Sequence, residues 1–487
     1  MNNSHLLMSL TLLTRLTALH RTCIACWNDI LSQNSSPTLL YKFQRNSRIF
    51  VIYKMPKQIV FLHPDLGIGG AERLIVDSAV ALESCGYDVS IITNHHDPKH
   101  CFEETLQSNL SVTVVADWFP RSIFGYMTAL CAYIRLILAT LYLLFYEKKP
   151  DVTFVDQISA PIILLRAFGY KTIFYCHFPD LLLTKNKKFL LKKLYRIPID
   201  YIEQISTGMA DIVLVNSKFT SNIFRETFTS LNHVQLRILY PIANEKSLCL
   251  PTSAQFQSDH QSKYEYRKYL SSEIIPEKAK IIFVSINRYE RKKNLSLALY
   301  SLEYLITHWD KLIDSTVEIK PENVHLIIAG GYDRRVIENV EYYTELVSLS
   351  QTLKVSENVT FMCSCSSEIK PLLIASSDAV IYTPDKEHFG IVPIEAMSLS
   401  RAVIALDSGG PKETVLHGST GFLCTVHPIK QLPQTMATYL SKFVNDPELA
   451  DRLGKAGCER VREKFSSITF KRELQTVVTD LINEDQG

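Results

Sequence analysis

The chain has 487 residues, enough for two or three domains with a core that needs no disulfide or metal support. Hydrophobic residues make up 46% of it and charged residues 21%, as is typical of a soluble globular protein. A net charge of +2 gives no reason to expect a nucleic-acid partner. The eleven cysteines lack the paired spacing of a zinc site, so we expect reduced thiols in a cytosolic compartment.

Residues 1–54 do not resemble a folded domain. The apolar stretch at residues 6–19 is interrupted by Arg15, is too short to span a bilayer and lacks the features of a signal peptide. Met55 stands just before the first predicted strand. Our hypothesis is that translation can start at Met55, which leaves the upstream part absent or disordered; a membrane-targeting extension is the alternative.

A glycine-rich turn follows the first predicted strand, residues 59–63. Gly69 and Gly70 open an amphipathic helix, and such a turn can bind phosphate through its backbone N–H groups. The dinucleotide-binding fingerprint fails, because the third glycine is absent and no acidic residue ends the next strand. The turn therefore disfavours an NAD(P) oxidoreductase, although close packing alone would also explain its glycines.

The most apolar segment of the chain is residues 125–146, with Arg135 near its middle. Its length would allow it to span a bilayer. A single crossing would, however, separate two predicted strands of one sheet, at residues 59–63 and 152–155. Two interpretations remain: a helix buried in the first domain, or a helix that lies on a membrane surface with its apolar face in lipid.

His177 closes a predicted strand, where a doubly wound sheet usually carries its functional residues. A lone histidine is otherwise more often structural. The segment after it alternates basic residues with leucine and phenylalanine, a pattern that suits an anionic membrane surface or a lipid diphosphate. A plain solvated face is the alternative. The basic residues are Lys185, Lys187, Lys188, Lys192, Lys193 and Arg196.

A polar stretch without periodicity, residues 246–278, separates the two halves of the chain. The second half begins with a predicted strand at residues 280–285 and a basic loop that contains Arg288 and Lys293. This pair could neutralise a diphosphate from two directions, although a solubility patch would look similar. Gly330 follows the next predicted strand.

The most informative stretch is EHFGIVPIE at residues 387–395. Pro393 suits a first helical turn, and Gly390 lets the backbone approach a ligand closely. The free N–H groups of a helix N-terminus form an anion site, and Glu387 and Glu395 flank it. An ordinary capped surface helix is the alternative.

Glu387 and Glu395, with seven residues between them, resemble the paired-glutamate signature of family 4 retaining glycosyltransferases. The surrounding EHFGIVPIEAM is similar to the α-1,3/α-1,6-mannosyltransferases that extend the dolichol-linked oligosaccharide, and the resemblance runs from about Lys57 to the C-terminus. It implies an α/β protein of the GT-B fold, with two Rossmann-like doubly wound domains that face a cleft. The implied organisation is an extension (1–54), an acceptor- and membrane-facing domain (55–245), a linker (246–278), a nucleotide-sugar domain (279–465) and a helix that crosses back (466–487).

The resemblance also implies the roles of individual residues. Arg288 and Lys293 would hold the donor diphosphate, and Glu395 the ribose hydroxyls. Glu387 would contact the mannose hydroxyls, while His177 and His388 orient the sugar or pass a proton. The remaining donor residues are Gly69, Gly70, Gly330, Gly390, Ile391 and Val392, and the acceptor and membrane residues are Lys187, Lys188, Lys192, Lys193 and Arg135.

The implied reaction moves mannose from GDP-mannose, with retention, onto Man1GlcNAc2-PP-dolichol to form the α-1,3 and α-1,6 branches of Man3GlcNAc2-PP-dolichol. The implied location is the cytosolic face of the endoplasmic reticulum membrane, with other mannosyltransferases of the pathway as candidate partners. A lipid acceptor favours the membrane-surface helix at residues 125–146. No Asp-x-Asp motif occurs, so we expect no metal cofactor. The alternatives are another donor or acceptor, such as a UDP-sugar or an inositol lipid, and a catalytically silent scaffold.

Overall fold

The computed structural model describes residues 56–483, apart from 108–109, 124–125, 184–189, 244–247, 249 and 251–262. The hypothesis about Met55 lies outside the described residues. The strands are β1 Gln58–His63, β2 Asp88–Thr93, β3 Ser111–Val114, β4 Val152–Asp156, β5 Thr172–Cys176, β6 Ile212–Val215, β7 Leu236–Ile238, β8 Ile281–Ile286, β9 Val324–Gly330, β10 Val359–Cys363, β11 Ala379–Tyr382, β12 Ala402–Leu406 and β13 Gly421–Cys424.

Helices alternate with these strands in both halves of the chain. They are α1 Gly70–Glu83, α2 Glu104–Gln107, α3 Thr128–Tyr146, α4 Pro161–Ala167, α5 Asp180–Leu183, α6 Leu190–Gly208, α7 Lys218–Thr227, α8 Lys263–Arg267, α9 Ser296–Thr307, α10 Trp309–Leu312, α11 Ile337–Thr352, α12 Ile369–Ser376, α13 Ile391–Ser398, α14 Pro411–Thr414, α15 Leu432–Asn445, α16 Leu449–Lys464 and α17 Ser467–Asn483.

The first domain is built around a 7-stranded sheet with the order β3-β2-β1-β4-β5-β6-β7. Its strands β1 and β4 pair in parallel, with Leu62 opposite Val155. Strands β4, β5 and β6 are buried along their whole length, because helices cover both faces of the sheet. This arrangement explains why their sequences are continuous apolar runs instead of alternating patterns.

The second domain is built around a 6-stranded sheet with the order β10-β9-β8-β11-β12-β13. Successive residues of β8 point to opposite faces of the sheet and pack in different hydrophobic clusters. Phe283 packs in one cluster with Phe443 of α15, and Val284 packs in the other with Ile394 of α13. Such a sheet, buried on both faces between helices, is a doubly wound α/β domain. The predicted fold class is confirmed.

Helix α3, at the predicted apolar segment 125–146, packs on the first domain through one of its faces. Among the described residues it is the one helix long and apolar enough to cross a bilayer, and 39% of its most apolar stretch is buried. Leu136, Ala139 and Leu143 lie on one face and pack in the core with Val60 and Leu62 of β1. That face supports the sheet and is not available to lipid. Contact of the other side of α3 with a membrane surface stays a prediction.

Two segments outside the sheets are joined to the domains by ion pairs. Helix α8 lies within the predicted linker, and its Lys263 and Arg267 both pair with buried Asp378, which precedes β11 of the second domain. The C-terminal helix α17 packs on α1, and its Asp480 pairs with Arg237 of β7. The chain therefore returns to the first domain after completing the second.

Candidate active site

The strand order reverses between β1 and β4 in the first sheet and between β8 and β11 in the second. In open α/β sheets, ligands bind at such switch points, beyond the carboxyl ends of the strands. A cavity of about 620 Å³ lies there between the two domains. Its walls include Gly69, Gly70, His177 and Asn216 of the first domain, and Lys370, Glu387, His388, Gly390, Ile391 and Glu395 of the second.

The N-terminus of α13 forms part of this cavity wall. Gly390 precedes the helix with a φ of 84°, a left-handed conformation that favours glycine. The helix begins at Ile391, and the N–H groups of its first turn have no partner within the helix. Behind this loop, a Cβ atom on Gly410 would lie 2.1 Å from the carbonyl oxygen of Phe389. Close backbone packing therefore holds a potential anion site open toward the cavity.

The two predicted cations are both paired with carboxylates. Lys293 Nζ lies 2.6 Å from Oε2 of Glu387, and its side chain is only 12% exposed. Arg288 pairs with Glu290 at 2.9 Å and its side chain is 63% exposed. Lys293 and Glu387 therefore form one unit at the cavity, whereas Arg288 lies outside the cavity wall among solvent-exposed side chains.

Glu395 is 7% exposed and projects from the second turn of α13. Its Oε1 lies 2.6 Å from Nζ of Lys370, on α12. Its Oε2 is buried and has no hydrogen-bond partner among the described residues. A buried carboxylate oxygen is costly without a donor, so this atom is a candidate acceptor for ligand hydroxyls. Sequence reasoning missed Lys370, because one lysine near a helix start carries no distinctive signal.

His388 joins the two domains. Its ring stacks on Phe178 with centroids 3.8 Å apart, and its carbonyl oxygen accepts a hydrogen bond of 2.5 Å from Ser217 Oγ. Burial lowers the pKa of His388 to about 4, against the opposing effect of Glu387. The ring is therefore neutral near pH 7 and can exchange hydrogen bonds with a sugar without adding charge to the site.

His177 is bound to a carboxylate that the sequence reasoning missed. Its Nε2 lies 2.8 Å from Oδ1 of Asp156, whose Oδ2 lies 2.9 Å from Nδ1 of His63. Asp156 and His63 are both fully buried. Asp156 ends β4 and His63 ends β1, so the strand-end rule that selected His177 would have found both.

Further contacts across the cleft come from Glu413, which the sequence reasoning also missed. Its carboxylate accepts hydrogen bonds from the backbone N–H groups of Lys218 and Phe219, at 2.9 and 2.8 Å, and from the hydroxyl of Tyr240. A residue of the second domain thus occupies the N-terminus of helix α7 in the first. Carboxylates stabilise such helix ends, so Glu413 favours the closed arrangement of the two domains.

Of the predicted acceptor and membrane residues, the structure gives a side-chain position for Arg135 alone. Lys187 and Lys188 lie outside the described residues, and Lys192 and Lys193 lie in the first turn of α6, with their side chains outside the description. Arg135 is a correction: its side chain is 4% exposed and pairs with Asp65 and Asp117. A buried, paired guanidinium cannot contact a membrane surface, so Arg135 has a structural position beneath the loops of the first domain.

The remaining predicted donor residues divide between the cavity and its surroundings. Gly69 precedes helix α1 and, with Gly70, lines the cavity. Gly330 packs so closely on Asn287 that an added Cβ would lie 1.9 Å from the Asn287 carbonyl oxygen. Gly330 and Val392 are not among the residues that line the described cavities. Contact of Gly330 and Val392 with the donor stays a prediction.

Two family models match the chain. Glycosyltransferase Family 4 matches residues 68–241, and Glycosyl transferases group 1 matches residues 268–460. Sucrose-phosphate synthase from Thermosynechococcus elongatus has a similar structure, with a TM-score of 0.64 at 19% identity over 88% of this chain and 100% of that one. The glycosyltransferase WaaG gives a TM-score of 0.59 at 14% identity over 87% of this chain and 99% of that one. At these identities the likeness shows the fold alone.

Two doubly wound domains with a cavity between them, together with these matches, define a glycosyltransferase of the GT-B class. Sequence relatives then give the particular family. The human α-1,3/1,6-mannosyltransferase ALG2 is 46% identical over 88% of this chain and 97% of its own length. The ALG2 of Dictyostelium discoideum is 43% identical over 87% of this chain and 98% of its own length. The chain belongs to the α-1,3/1,6-mannosyltransferase family and is a mannosyltransferase.

Proposed function

We propose that this chain transfers mannose from GDP-mannose, with retention, onto Man1GlcNAc2-PP-dolichol, and that it builds the α-1,3 and α-1,6 branches of Man3GlcNAc2-PP-dolichol. Membership of the family supports this reaction. One observation supports this placement of the donor: the Oε2 of Glu395 has no hydrogen-bond partner in the described part of the chain and lies beside the open N-terminus of α13. A nucleotide sugar has adjacent ribose hydroxyls for that oxygen and two phosphates for the helix end.

The charges around α13 suit departure of a diphosphate. The helix N-terminus and Lys293 supply positive potential, and Arg288 lies on the adjoining loop after β8. Because Lys293 and Glu387 are already paired, Glu387 holds the lysine in place before the donor arrives. We propose that Glu387 also contacts the mannose hydroxyls, that His388 faces the sugar from the same domain and that His177 faces it from across the cleft. Leaving-group stabilisation is then the main catalytic effect, and no metal takes part.

Retention without a protein nucleophile implies that the acceptor hydroxyl enters on the face from which GDP departs. A second cavity, of about 290 Å³, adjoins the first and shares His177 and His388 with it. Its other walls include Ala129, Tyr133 and Leu183 of the first domain. We assign this apolar recess to the acceptor glycan, whose sugar rings have apolar faces.

The outer side of α6 supports attachment to a membrane surface, which we place at the cytosolic face of the endoplasmic reticulum. Leu194, Ile197, Tyr201 and Ile205 are exposed and recur at spacings of three and four residues, which places them on one side of the helix. The lysines at 185–193 precede them in the sequence. An apolar stripe next to basic residues is the pattern of an interfacial helix, and a dolichol-linked acceptor requires the active site to work close to lipid.

The reaction can be tested with purified protein, GDP-mannose and a lipid-linked Man1GlcNAc2 acceptor. We expect two mannoses to be added, with α-1,3 and α-1,6 linkages identified by mass and linkage-specific mannosidases. Parallel reactions with UDP-glucose and UDP-N-acetylglucosamine test the alternative donors, and a reaction with Glu395→Ala tests for a silent scaffold. Transfer from a UDP-sugar but not from GDP-mannose would refute the donor assignment. Undiminished activity of Glu395→Ala would refute the placement of the donor.

A further inference from the structure

Among the described walls of the second cavity, Asp180 carries the only carboxylate. Asp180 opens the short helix α5, three residues after His177, and its side chain is 36% exposed. Small and apolar side chains, including those of Ala129, Ala132 and Leu183, form much of the remaining wall. A carboxylate in a largely apolar recess gives the cavity one strong acceptor of hydrogen bonds.

One oxygen of the Asp180 carboxylate is bound to a buried arginine. Nη2 of Arg196, on α6, lies 2.9 Å from Oδ2 of Asp180, and the Arg196 side chain is only 4% exposed. No residue in the described part of the chain forms a hydrogen bond with Oδ1 of Asp180. The protein therefore fixes one carboxylate oxygen, and the other is available to a ligand in the cavity.

The backbone around Asp180 is held as well. The carboxylate of Glu203, which is 6% exposed, accepts hydrogen bonds from the N–H groups of Asp180 and Leu181, at 2.6 and 3.0 Å. Two residues earlier, the ring of Phe178 stacks on His388 of the second domain. A carboxylate held at its backbone and at one oxygen loses little freedom when it binds a ligand, so its hydrogen bond adds more to affinity.

The charge around Asp180 indicates what kind of ligand the recess takes. Arg196 also pairs with Asp200, at 2.7 Å, so one guanidinium serves two carboxylates. Negative charge therefore exceeds positive charge among these three side chains. A phosphate would be repelled here, whereas a neutral sugar can donate a hydroxyl to the carboxylate in a charge-assisted hydrogen bond. The recess thus suits the glycan of the acceptor and disfavours its lipid diphosphate.

We propose that Asp180 binds the terminal mannose of the acceptor: its Oδ1 accepts a hydrogen bond from the 2- or the 4-hydroxyl, the ring hydroxyls that stay free while the 3- and 6-hydroxyls react. Arg196 and Glu203 are the positioning residues of this carboxylate. The proposal rests on the proposed function, which assigns the second cavity to the acceptor glycan. His177 and His388 line both cavities, so a sugar bound by Asp180 lies next to the donor.

The test measures initial rates of the first mannose transfer by wild type and Asp180→Ala. The acceptors are lipid-linked Man1GlcNAc2 and two analogues whose mannose lacks the 2- or the 4-hydroxyl. Asp180→Ala should raise the KM of the natural acceptor about 10- to 100-fold, the effect of losing one charge-assisted hydrogen bond. Wild type should disfavour one deoxy analogue by a similar factor, and Asp180→Ala should not distinguish that analogue from the natural acceptor. GDP binding should be unchanged, because Asp180 does not line the donor cavity.

Asp200→Ala is the matched control. Asp200 pairs with the same arginine, but it lines neither described cavity. This variant should lose stability in urea as Asp180→Ala does, yet keep the wild-type acceptor KM and the discrimination against the deoxy analogue. Asp180→Asn makes the test independent of a lost ion pair. It keeps the size of the side chain and an oxygen for Arg196 but presents an amide in place of the charged acceptor, so it should still raise the acceptor KM.

Three outcomes would overturn the proposal. The first is a wild-type acceptor KM in Asp180→Ala or Asp180→Asn. The second is an equal rise of the acceptor KM in Asp180→Ala and Asp200→Ala, which would indicate structural damage alone. The third is discrimination against the deoxy analogues that is absent from wild type or persists in Asp180→Ala. Failure of the proposed function is distinguishable from all three, because wild type would then not transfer mannose from GDP-mannose to the natural acceptor.

Discussion

Replacement of Glu395 by glutamine should separate ligand binding from protein stability. The wild-type carboxylate is 7% exposed, with one oxygen bound to Lys370 and the other without a described partner. If the ribose hydroxyls of the donor supply the missing hydrogen bonds, each charge-assisted bond contributes about 1.5–3 kcal/mol. Glu395→Gln should then weaken GDP binding by about 2–4 kcal/mol, or roughly 30- to 1000-fold.

The effect on folding should be small or of opposite sign. The ion pair with Lys370, whose side chain is 30% exposed, contributes about 1 kcal/mol at most after screening by solvent. Against this, the variant no longer buries a charged oxygen without a donor, a penalty of about 1–3 kcal/mol. We therefore expect Glu395→Gln to unfold in urea at a concentration equal to or above that of the wild type.

The assay is isothermal titration of GDP and of 2′-deoxy- and 3′-deoxy-GDP, with urea unfolding in parallel. Wild type should prefer GDP to the deoxy ligands, and Glu395→Gln should lose that preference, because the partner of the hydroxyl is then gone. Lys370→Met is the matched control: it removes the ion pair but leaves the carboxylate, so it should retain the preference. A less stable Glu395→Gln variant with unchanged discrimination between the ligands would refute the reasoning and make Glu395 a structural ion-pair residue.

Arg135→Met should cost about 2 kcal/mol of unfolding free energy in urea, because half-exposed Asp65 and Asp117 lose their shared buried partner. Glu413→Gln should lower kcat/KM about tenfold, since an amide offers one acceptor oxygen where the carboxylate offers two to Lys218 and Phe219. Between pH 7 and pH 5, the unfolding free energy of the wild type should fall by about 2 kcal/mol more than that of His325→Gln. Mannose transfer should persist in EDTA, because the helix end and Lys293 supply the positive charge.

The pH dependence follows from the pKa of His325, which burial lowers from 6.5 to about 4. The contribution of neutral His325 to the unfolding free energy is complete above about pH 6.5. It is lost as the pH falls toward 4, because the histidine of the unfolded chain binds a proton more tightly than the buried one. Equal acid sensitivity in wild type and variant would contradict this assignment. Unchanged unfolding in urea for Arg135→Met, a wild-type kcat/KM in Glu413→Gln, or loss of activity in EDTA would contradict the other three.

Several features of the site were predictable because they depend on neighbours in the chain. Gly390 and Glu395 belong to one loop and one helix, so their spacing alone places them beside the same helix end. His177 was identified by its position at the end of an apolar run, and that rule would also have selected His63 and Asp156. The doubly wound architecture was predictable too, since strands covered on both faces are continuous apolar runs.

The errors and omissions concern residues whose role depends on distant partners. Lys370 meets Glu395 only because α12 and α13 lie next to each other in the second domain. The sequence predicts an acceptor or membrane contact for Arg135, because it is a charged residue within an apolar segment. It is buried instead, because Asp65 and Asp117 come from loops that the sheet brings over the helix.

The sequence by itself determined the class of fold, because continuous apolar runs depend on local composition, and the resemblance of the loop with its two glutamates indicated the family of mannosyltransferases. Only the tertiary structure decided which face of helix α3 packs in the core, that Glu413 reaches α7 across the cleft and that His63, Asp156 and His177 are joined by hydrogen bonds. The physical reason is the strand order: β1 lies beside β4, which brings together side chains 93 residues apart in sequence. Such contacts set charge and hydrogen bonding in the site, and no periodicity along the chain encodes them.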